Sequence, residues 1–294
     1  MTDYYGRPIL KEPVWTWEIP VYFFFGGMAG AAAPFAVAAE LRGERGLARR
    51  AWLVALAGIG VSPVLLISDL GRPERFHHML RVVKPTSPMN MGSWILSVAG
   101  TSIALGAARS VLGWFPRLGR LSRLTAVFGP ALSTYTGVLV ADTAIPVWHE
   151  ARRELPWVFA AGSAMSAGAA VTLLGGGAPA QRLALAGAAG ELAATTAMEQ
   201  RLGELGEPYH EGEAGRFARA GKALTTAGGL LMAATRQRRG GATLLLAGAL
   251  ATRWSVYKAG FQSAANPRYV VEPQRARAVA KSVTPGNSRP AGVS

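Results

Sequence analysis

The sequence contains no cysteine. That excludes a disulfide, a thiolate metal site and a cysteine-held iron–sulfur cluster within this chain. Charge is scarce as well. Charged residues make up 16% of the sequence, against about 25% in an ordinary soluble domain. Acids are the scarcer sign: 17 Asp and Glu stand against 31 Lys and Arg, a net charge of +14. In a soluble protein that excess would point to nucleic acid. Here the arginines sit in short clusters between apolar runs, as in LRGERGLARR and RQRRGG. Loops of a multispanning membrane protein read this way, so the expected surroundings are lipid and no nucleic acid. Histidine is rare too. His77, His78, His149 and His210 are the four present, all outside the apolar runs. A membrane haem needs histidines inside its helices, so no haem is expected, and no helix-spaced pair supports a metal site.

What is abundant is apolar sequence, half of the residues. A helix that crosses the hydrocarbon core needs about 20 mostly apolar residues. Eight runs are read as spans, at approximately 17–40, 51–70, 92–113, 124–145, 156–176, 181–199, 221–235 and 242–262. Backbone groups in lipid must be satisfied within the segment, so the spans are expected to be helices. The fold class is therefore all-α, a polytopic membrane protein with about eight transmembrane helices. A single integral membrane domain is expected over 1–265, with a polar, basic tail over 266–294 rich in Pro, Gly, Ser and Arg. The first run is longer than the ~7–15 residues of a signal-peptide core and reads as a retained helix.

Several residues break the apolar pattern. Glu18 and Tyr22 are four apart at the head of the first span and share a helix face. Trp15 and Trp17 beside them read as interfacial anchors. Tyr135 lies near the middle of the fourth run, where a tyrosine packs and seeks a hydrogen-bond partner. Glu191 and Arg253 fall midway along the sixth and eighth runs. A lone charge at the bilayer centre costs at least ~2.5–3.5 kcal/mol, so the two are read as an ion pair or as part of a proton path, with Asp142 a further acid for such a path. The stretch LLISDLGRPERFHHML turns from apolar to charged at Asp69. Gly71 and Pro73 stop a helix there. Arg72, Arg75 and His77 follow, interleaved with apolar residues as in a short amphipathic helix on the membrane surface.

Longer segments around these residues resemble a known family. LLISDLGRPERFHHMLRVVKPTSPMNMGSW is similar to the signature loop of NrfD-like proteins, the membrane subunits of polysulfide reductase and related complexes. STYTGVLVADTAIPVWHEARRELPWVFAAGSA resembles the second signature of the family, and WEIPVYFFFGGMAGA its first span. The resemblance covers roughly residues 15–175. It implies eight helices in two four-helix bundles, roughly 15–145 and 156–262, without haem. It implies a site for a non-covalently bound quinone, menaquinone or ubiquinone, next to an iron–sulfur partner subunit. That partner exchanges electrons with a catalytic subunit, commonly a molybdopterin enzyme. In the family's quinone pocket the matching positions are Tyr135, Glu18 and Tyr22, the first-helix identities differing from members with Asn and His there. Asp69 matches the acid of the Asp-Leu-Gly-Arg-Pro motif.

The residues argue to the same end by another route. With neither Cys nor intramembrane His, the chain holds no redox centre of its own, so a redox role needs a diffusible carrier and a partner's cluster. A quinone in an apolar pocket meets that need, and its chemistry requires proton donors and acceptors nearby. Asp69, Glu191, Arg253 and Asp142 are the candidates for proton transfer, and Arg72, Arg75 and His77 for partner docking. The expected function is a quinone-reactive anchor subunit of a multisubunit oxidoreductase in the cell (inner) membrane, not an enzyme by itself. The alternatives are a secondary transporter or ion channel using Glu191, Arg253 and Asp142, and a purely structural anchor.

Lys and Arg divide evenly between the two sets of loops, but the first hairpin carries Arg42, Arg45, Arg49 and Arg50 in a short stretch after the first span and only Arg7 and Lys11 before it. By the positive-inside rule that hairpin faces the cytoplasm and both termini lie outside. Reporter fusions after Arg50 and after Pro85 are expected to report opposite compartments, with Arg50 cytoplasmic; the reverse assignment would invert the orientation.

Overall fold

The computed structural model describes residues 10–115, 117–235 and 237–271; most of the tail expected from 266 lies outside them. The described residues form helices and no strand. In chain order, α1 runs Glu18–Leu41, α2 Arg45–Ser68, α3 Pro88–Ala107, α4 Thr125–Ala141 and α5 Pro146–Glu150. The chain continues with α6 at Leu155–Leu173, α7 at Gly177–Leu202, α8 at Gly212–Ala234 and α9 at Arg238–Ala265. Short 3-10 helices at Pro73–Leu80, Leu118–Leu124 and Gly203–Tyr209 join them.

Local chemistry sets these boundaries. Proline occupies the first turn of α3, α5 and α6, where its missing N–H costs nothing. The Ser87 hydroxyl caps α3 by accepting from the Asn90 N–H. Beyond Asp69 the Gly-Arg-Pro sequence turns α2 into the 3-10 helix Pro73–Leu80, so the expected surface helix is present in a tighter form.

The fourth run departs from expectation. Its helix ends at Ala141 rather than 145, whereas its start at Thr125, after the 3-10 helix Leu118–Leu124, agrees with the expected 124. Thr143 accepts from the Ile145 N–H, and Pro146 opens the next helix. The chain therefore leaves α4 early, which places Tyr135 about two turns from the end of its helix rather than midway along it.

Five segments are long and apolar enough to cross a membrane: Glu18–Leu41, Arg45–Ser68, Pro88–Leu112, Arg120–Ala141 and Leu155–Leu173. Large apolar side chains such as Val61 and Val64 on α2 and Val127 and Val138 on α4 are exposed, as lipid-facing side chains must be. The chain is a multi-pass membrane protein. The remaining long helices, α7, α8 and α9, have 26, 23 and 28 residues but carry too many polar and charged residues to join the five on composition. These charges are largely matched: Glu199 pairs with Lys222, Glu213 with Lys258 and Glu154 with Arg201.

Helices α1 to α4 pack on one another, as do α6 to α9, and α6 also packs against α1 and α4. Small residues set the spacing. A Cβ on Gly30 of α1 would lie 2.7 Å from the carbonyl oxygen of Gly129 on α4. Gly129 meets the Gly30 carbonyl equally closely. In lipid, where apolar burial drives little association, such backbone contact is what holds helices together. Replacing Gly30 with Leu is expected to force α1 and α4 apart and to cost about 1–3 kcal/mol, read as a lower unfolding temperature of the detergent-purified chain. An unchanged temperature would show that the two helices separate without cost.

Candidate functional site

The apolar helices leave a hollow at the end of the molecule where α1 and α3 begin and α2 and α4 finish. Its volume is about 220 Å³. Tyr22 and Phe23 of α1, Tyr135 of α4 and Leu66 of α2 form its inner wall. Asp69, Met79 and Trp15 line its outer part.

Tyr22 is almost fully buried and Tyr135 is 9% exposed. Among the described residues neither hydroxyl has a hydrogen-bond partner. Neither hydroxyl oxygen is sealed off, so both are open to donate to whatever occupies the hollow. The Tyr135 ring reaches its place because position 92 on α3 is glycine: a Cβ there would overlap the end of the ring. Tyr22 stands beside Gly26, itself packed on Ser62 of α2.

The rim is polar. Asp69 Oδ1 accepts from the Thr16 N–H at 3.0 Å and from the Thr16 hydroxyl at 2.6 Å. The same hydroxyl contacts a carboxylate oxygen of Glu18. Thr16 thus links the end of α2 to the start of α1. The segment before α1 is held from the other side as well. Tyr257 of α9 donates to the Trp15 carbonyl at 2.8 Å, and the Trp15 indole stacks on that of Trp148 at 5.4 Å. Trp148 in turn donates to the Val256 carbonyl of α9 at 2.7 Å.

The loop 70–91 forms the outer wall. Asn90 on α3 donates from Nδ2 to the carbonyls of Met79 and Val82, at 2.6 and 2.9 Å, while its Oδ1 accepts from the Lys84 N–H at 2.7 Å. Trp94 adds a bond to the Val82 carbonyl at 3.2 Å. This staple turns Met79 inward. Arg72, Arg75 and His77 of the same turn face outward, exposed, and neither arginine has an ion pair among the described residues.

A second polar centre lies deeper. Glu191 of α7 and Arg253 of α9 are 2% and 1% exposed and approach to 3.7 Å. Arg253 Nη2 donates to the Phe159 carbonyl at 2.8 Å, and its guanidinium lies 4.2 Å over the Phe159 ring. Asp142 does not join this pair. It follows α4 as an exposed residue and lines neither cavity.

The structure thus gathers Tyr22, Tyr135 and Asp69 around one hollow, connects Glu18 to it through Thr16, and sets Arg72, Arg75 and His77 on its outer wall. Glu191 and Arg253 form a separate centre. Thr16, Asn90 and Gly92 were not singled out by sequence, and Met79 was read only as part of the apolar face of the surface helix. The residues of MNMGSW, at the head of an apolar run, were the available signal for Asn90 and Gly92; Thr16 offered none. No group of His, Asp and Glu suited to a metal ion occurs among the described residues.

No match to the chain is found among curated proteins. A family model described as polysulfide reductase matches residues 1–268, which includes every residue of the hollow. The chain belongs to the NrfD-like polysulfide reductase family and is, with it, a membrane subunit of a redox enzyme complex.

Proposed function

We propose that the hollow between α1, α2, α3 and α4 is a quinone site and that the chain exchanges electrons between the membrane quinone pool and an iron–sulfur partner. The observation that carries this reading is the pair of buried phenols, Tyr22 and Tyr135, facing one apolar cavity with neither hydroxyl partnered. Two phenolic donors on the wall of a cavity suit a ligand with two carbonyl oxygens. The 220 Å³ volume is below the ~300–1,000 Å³ of sites for drug-sized ligands; it suits a ring-sized head group whose isoprenoid tail stays in lipid.

A bound quinone supplies two-electron, two-proton redox chemistry. The chain's own part is to place hydroxyls and protons. Tyr135 and Tyr22 orient the head group as donors. Asp69 lies on the wall where the cavity meets water. The Thr16 hydroxyl has a single hydrogen, so it donates to Asp69 or to Glu18 at any one time. Glu18, Thr16 and Asp69 form a short relay between the rim and the surface. In this reading eight helices, α1 to α4 and α6 to α9, cross the membrane, the charged ones shielded by their neighbours. The quinone, menaquinone or ubiquinone, is held without a covalent bond.

Electrons come from outside the chain, which has no cysteine to hold a cluster. The turn Pro73–Leu80 suits a docking place, because one side of it walls the cavity through Met79 while Arg72, Arg75 and His77 point away. An iron–sulfur subunit seated there brings its cluster close to the head group and connects it to a catalytic, molybdopterin-type subunit.

The Tyr135→Phe variant is expected to fold normally, since only a hydroxyl is lost. Quinone-linked turnover of the complex should fall about 2- to 12-fold, the range of one neutral hydrogen bond of about 0.5–1.5 kcal/mol. Electron transfer from the catalytic subunit to a water-soluble acceptor should stay at the parental rate. Parental turnover and affinity for quinone would remove Tyr135 from the site.

Reversing charge with Arg75→Glu is expected to release the iron–sulfur partner from the detergent-solubilised complex at moderate salt, read by co-purification. Retention of the partner by Arg72→Glu, Arg75→Glu and the double variant alike would move docking away from this turn.

A further inference from the structure

A narrow cleft runs between α7, α8 and α9, apart from the quinone hollow. Glu191, Thr195 and Glu199 line it from α7. They are four residues apart and share one helix face, spanning about 12 Å along the axis. Lys222 and Thr225 face them from α8, and Tyr209 from the 3-10 helix before it. Gly248 keeps α9 close to the Thr225 hydroxyl, and Gly221 keeps α8 close to Thr252.

Unmet hydrogen bonds concentrate here. Both carboxylate oxygens of Glu191, Oε1 of Glu199, the Tyr209 hydroxyl and the Thr225 hydroxyl are buried without a partner. So are Nε and Nη1 of Arg253, next to Glu191. Buried polar groups are nearly always satisfied by protein or by ordered water; the protein offers Glu191 only the Arg253 guanidinium at 3.7 Å and the nearby Thr252 hydroxyl, which leaves capacity for water. The cleft has about 20 Å³ for water centres. A water needs roughly 10–15 Å³ by that measure and two to four polar partners, so one or two waters fit.

We propose that this cleft is a hydrated proton-access route, open at Glu199, Tyr209 and Lys222 and ending at the buried Glu191–Arg253 pair. Glu199 and Lys222 form an ion pair at its mouth, with Lys222 partly exposed. The Thr195 and Thr225 hydroxyls stand between mouth and end, where each both donates and accepts. Burial, with the nearby Glu199 charge, raises the Tyr209 phenol well above its usual value, so it stays a neutral donor. The groups facing Glu191 are Arg253 and Thr252 of α9 and Thr225 of α8, with Glu199 and Lys222 further out. Beyond Arg253 the route ends on aromatic carbon. The Phe159 ring under the guanidinium packs 5.5 Å from that of Phe23, which lines the quinone hollow. This proposal does not depend on what occupies that hollow.

Pulsed hydroxyl-radical footprinting of the full chain in lipid nanodiscs tests the water. Met198 and Tyr209 are 1% and 2% exposed but line the cleft, whereas Met165 is equally buried in a dry cluster. Oxidation of Met198 and Tyr209 is expected several-fold faster than that of Met165, and slower in Thr225→Val, which removes a water ligand at constant volume. Rates at Met198 and Tyr209 equal to that of Met165 would show a dry cleft and overturn the proposal. The proton is tested by infrared difference spectra recorded as pH is changed. A carboxyl signal present in the parent should vanish in Glu191→Gln and persist in Thr252→Val. The double variant Glu191→Gln with Arg253→Met removes both charges together and serves if the single variant does not fold. A spectrum unchanged by loss of Glu191 would overturn proton access even if the cleft is wet.

Discussion

The backbone contact between Gly30 and Gly129 fixes where α4 stands against α1, and the hollow lined by Tyr22 and Tyr135 depends on that placement. α1 and α4 run in opposite directions. Tyr22 lies eight residues before Gly30, and Tyr135 six residues after Gly129. At 1.5 Å per residue the two phenols are about 12 and 9 Å from the crossing, on the same side of it. A larger residue at the crossing would move both helices outward and change the distance between the hydroxyls. The cavity is therefore a consequence of packing two small residues, with its polar groups carried at a set height above the contact.

Much of this was legible because it follows from hydrophobic runs and their interruptions. The acid and turn at DLGRP marked the end of α2, and Asp69 there lines the cavity. The spacing of Glu18 and Tyr22 put them on one face, but the structure separates their surroundings: Tyr22 is buried in the cavity wall, and Glu18 reaches Asp69 only through Thr16. An exposed threonine outside any helix offers no periodic signal, so its bridging role was hidden. Asn90 was hidden for a related reason. Its two bonds to carbonyls of the preceding loop depend on how the loop folds back, which no local pattern encodes.

The charged helices show the limit of hydropathy from the other direction. Composition separates α7, α8 and α9 from the five apolar segments, yet their charges are largely paired between helices. Glu199 faces Lys222 across α7 and α8, and Glu191 faces Arg253 across α7 and α9. Averaging along one helix counts each partner as a liability, whereas packing cancels them in pairs. Glu191 with Thr195 and Glu199 forms a polar face at helical spacing, but two of the three are unremarkable singly, and only the facing side chains of α8 and α9 make them a cleft.

Two polar systems thus occupy one small helical protein, and aromatic carbon keeps them apart. Phe23 belongs to the wall of the hollow, while Phe159 supports the Arg253 guanidinium through its ring and its carbonyl. Where Phe23 meets Phe159 the two systems are separated by aromatic carbon, which carries no hydrogen bond. Coupling through that contact is mechanical or electrostatic. A displacement of Phe23 reaches Arg253 through a single ring, and the guanidinium meets Glu191 only at 3.7 Å, so no direct short hydrogen bond fixes its position relative to that carboxylate. Removing either member of such a buried pair costs about 3–5 kcal/mol, whereas a small shift within it costs far less. The loosely bonded pair behind the wall is therefore the part of the second system best placed to respond to what fills the first.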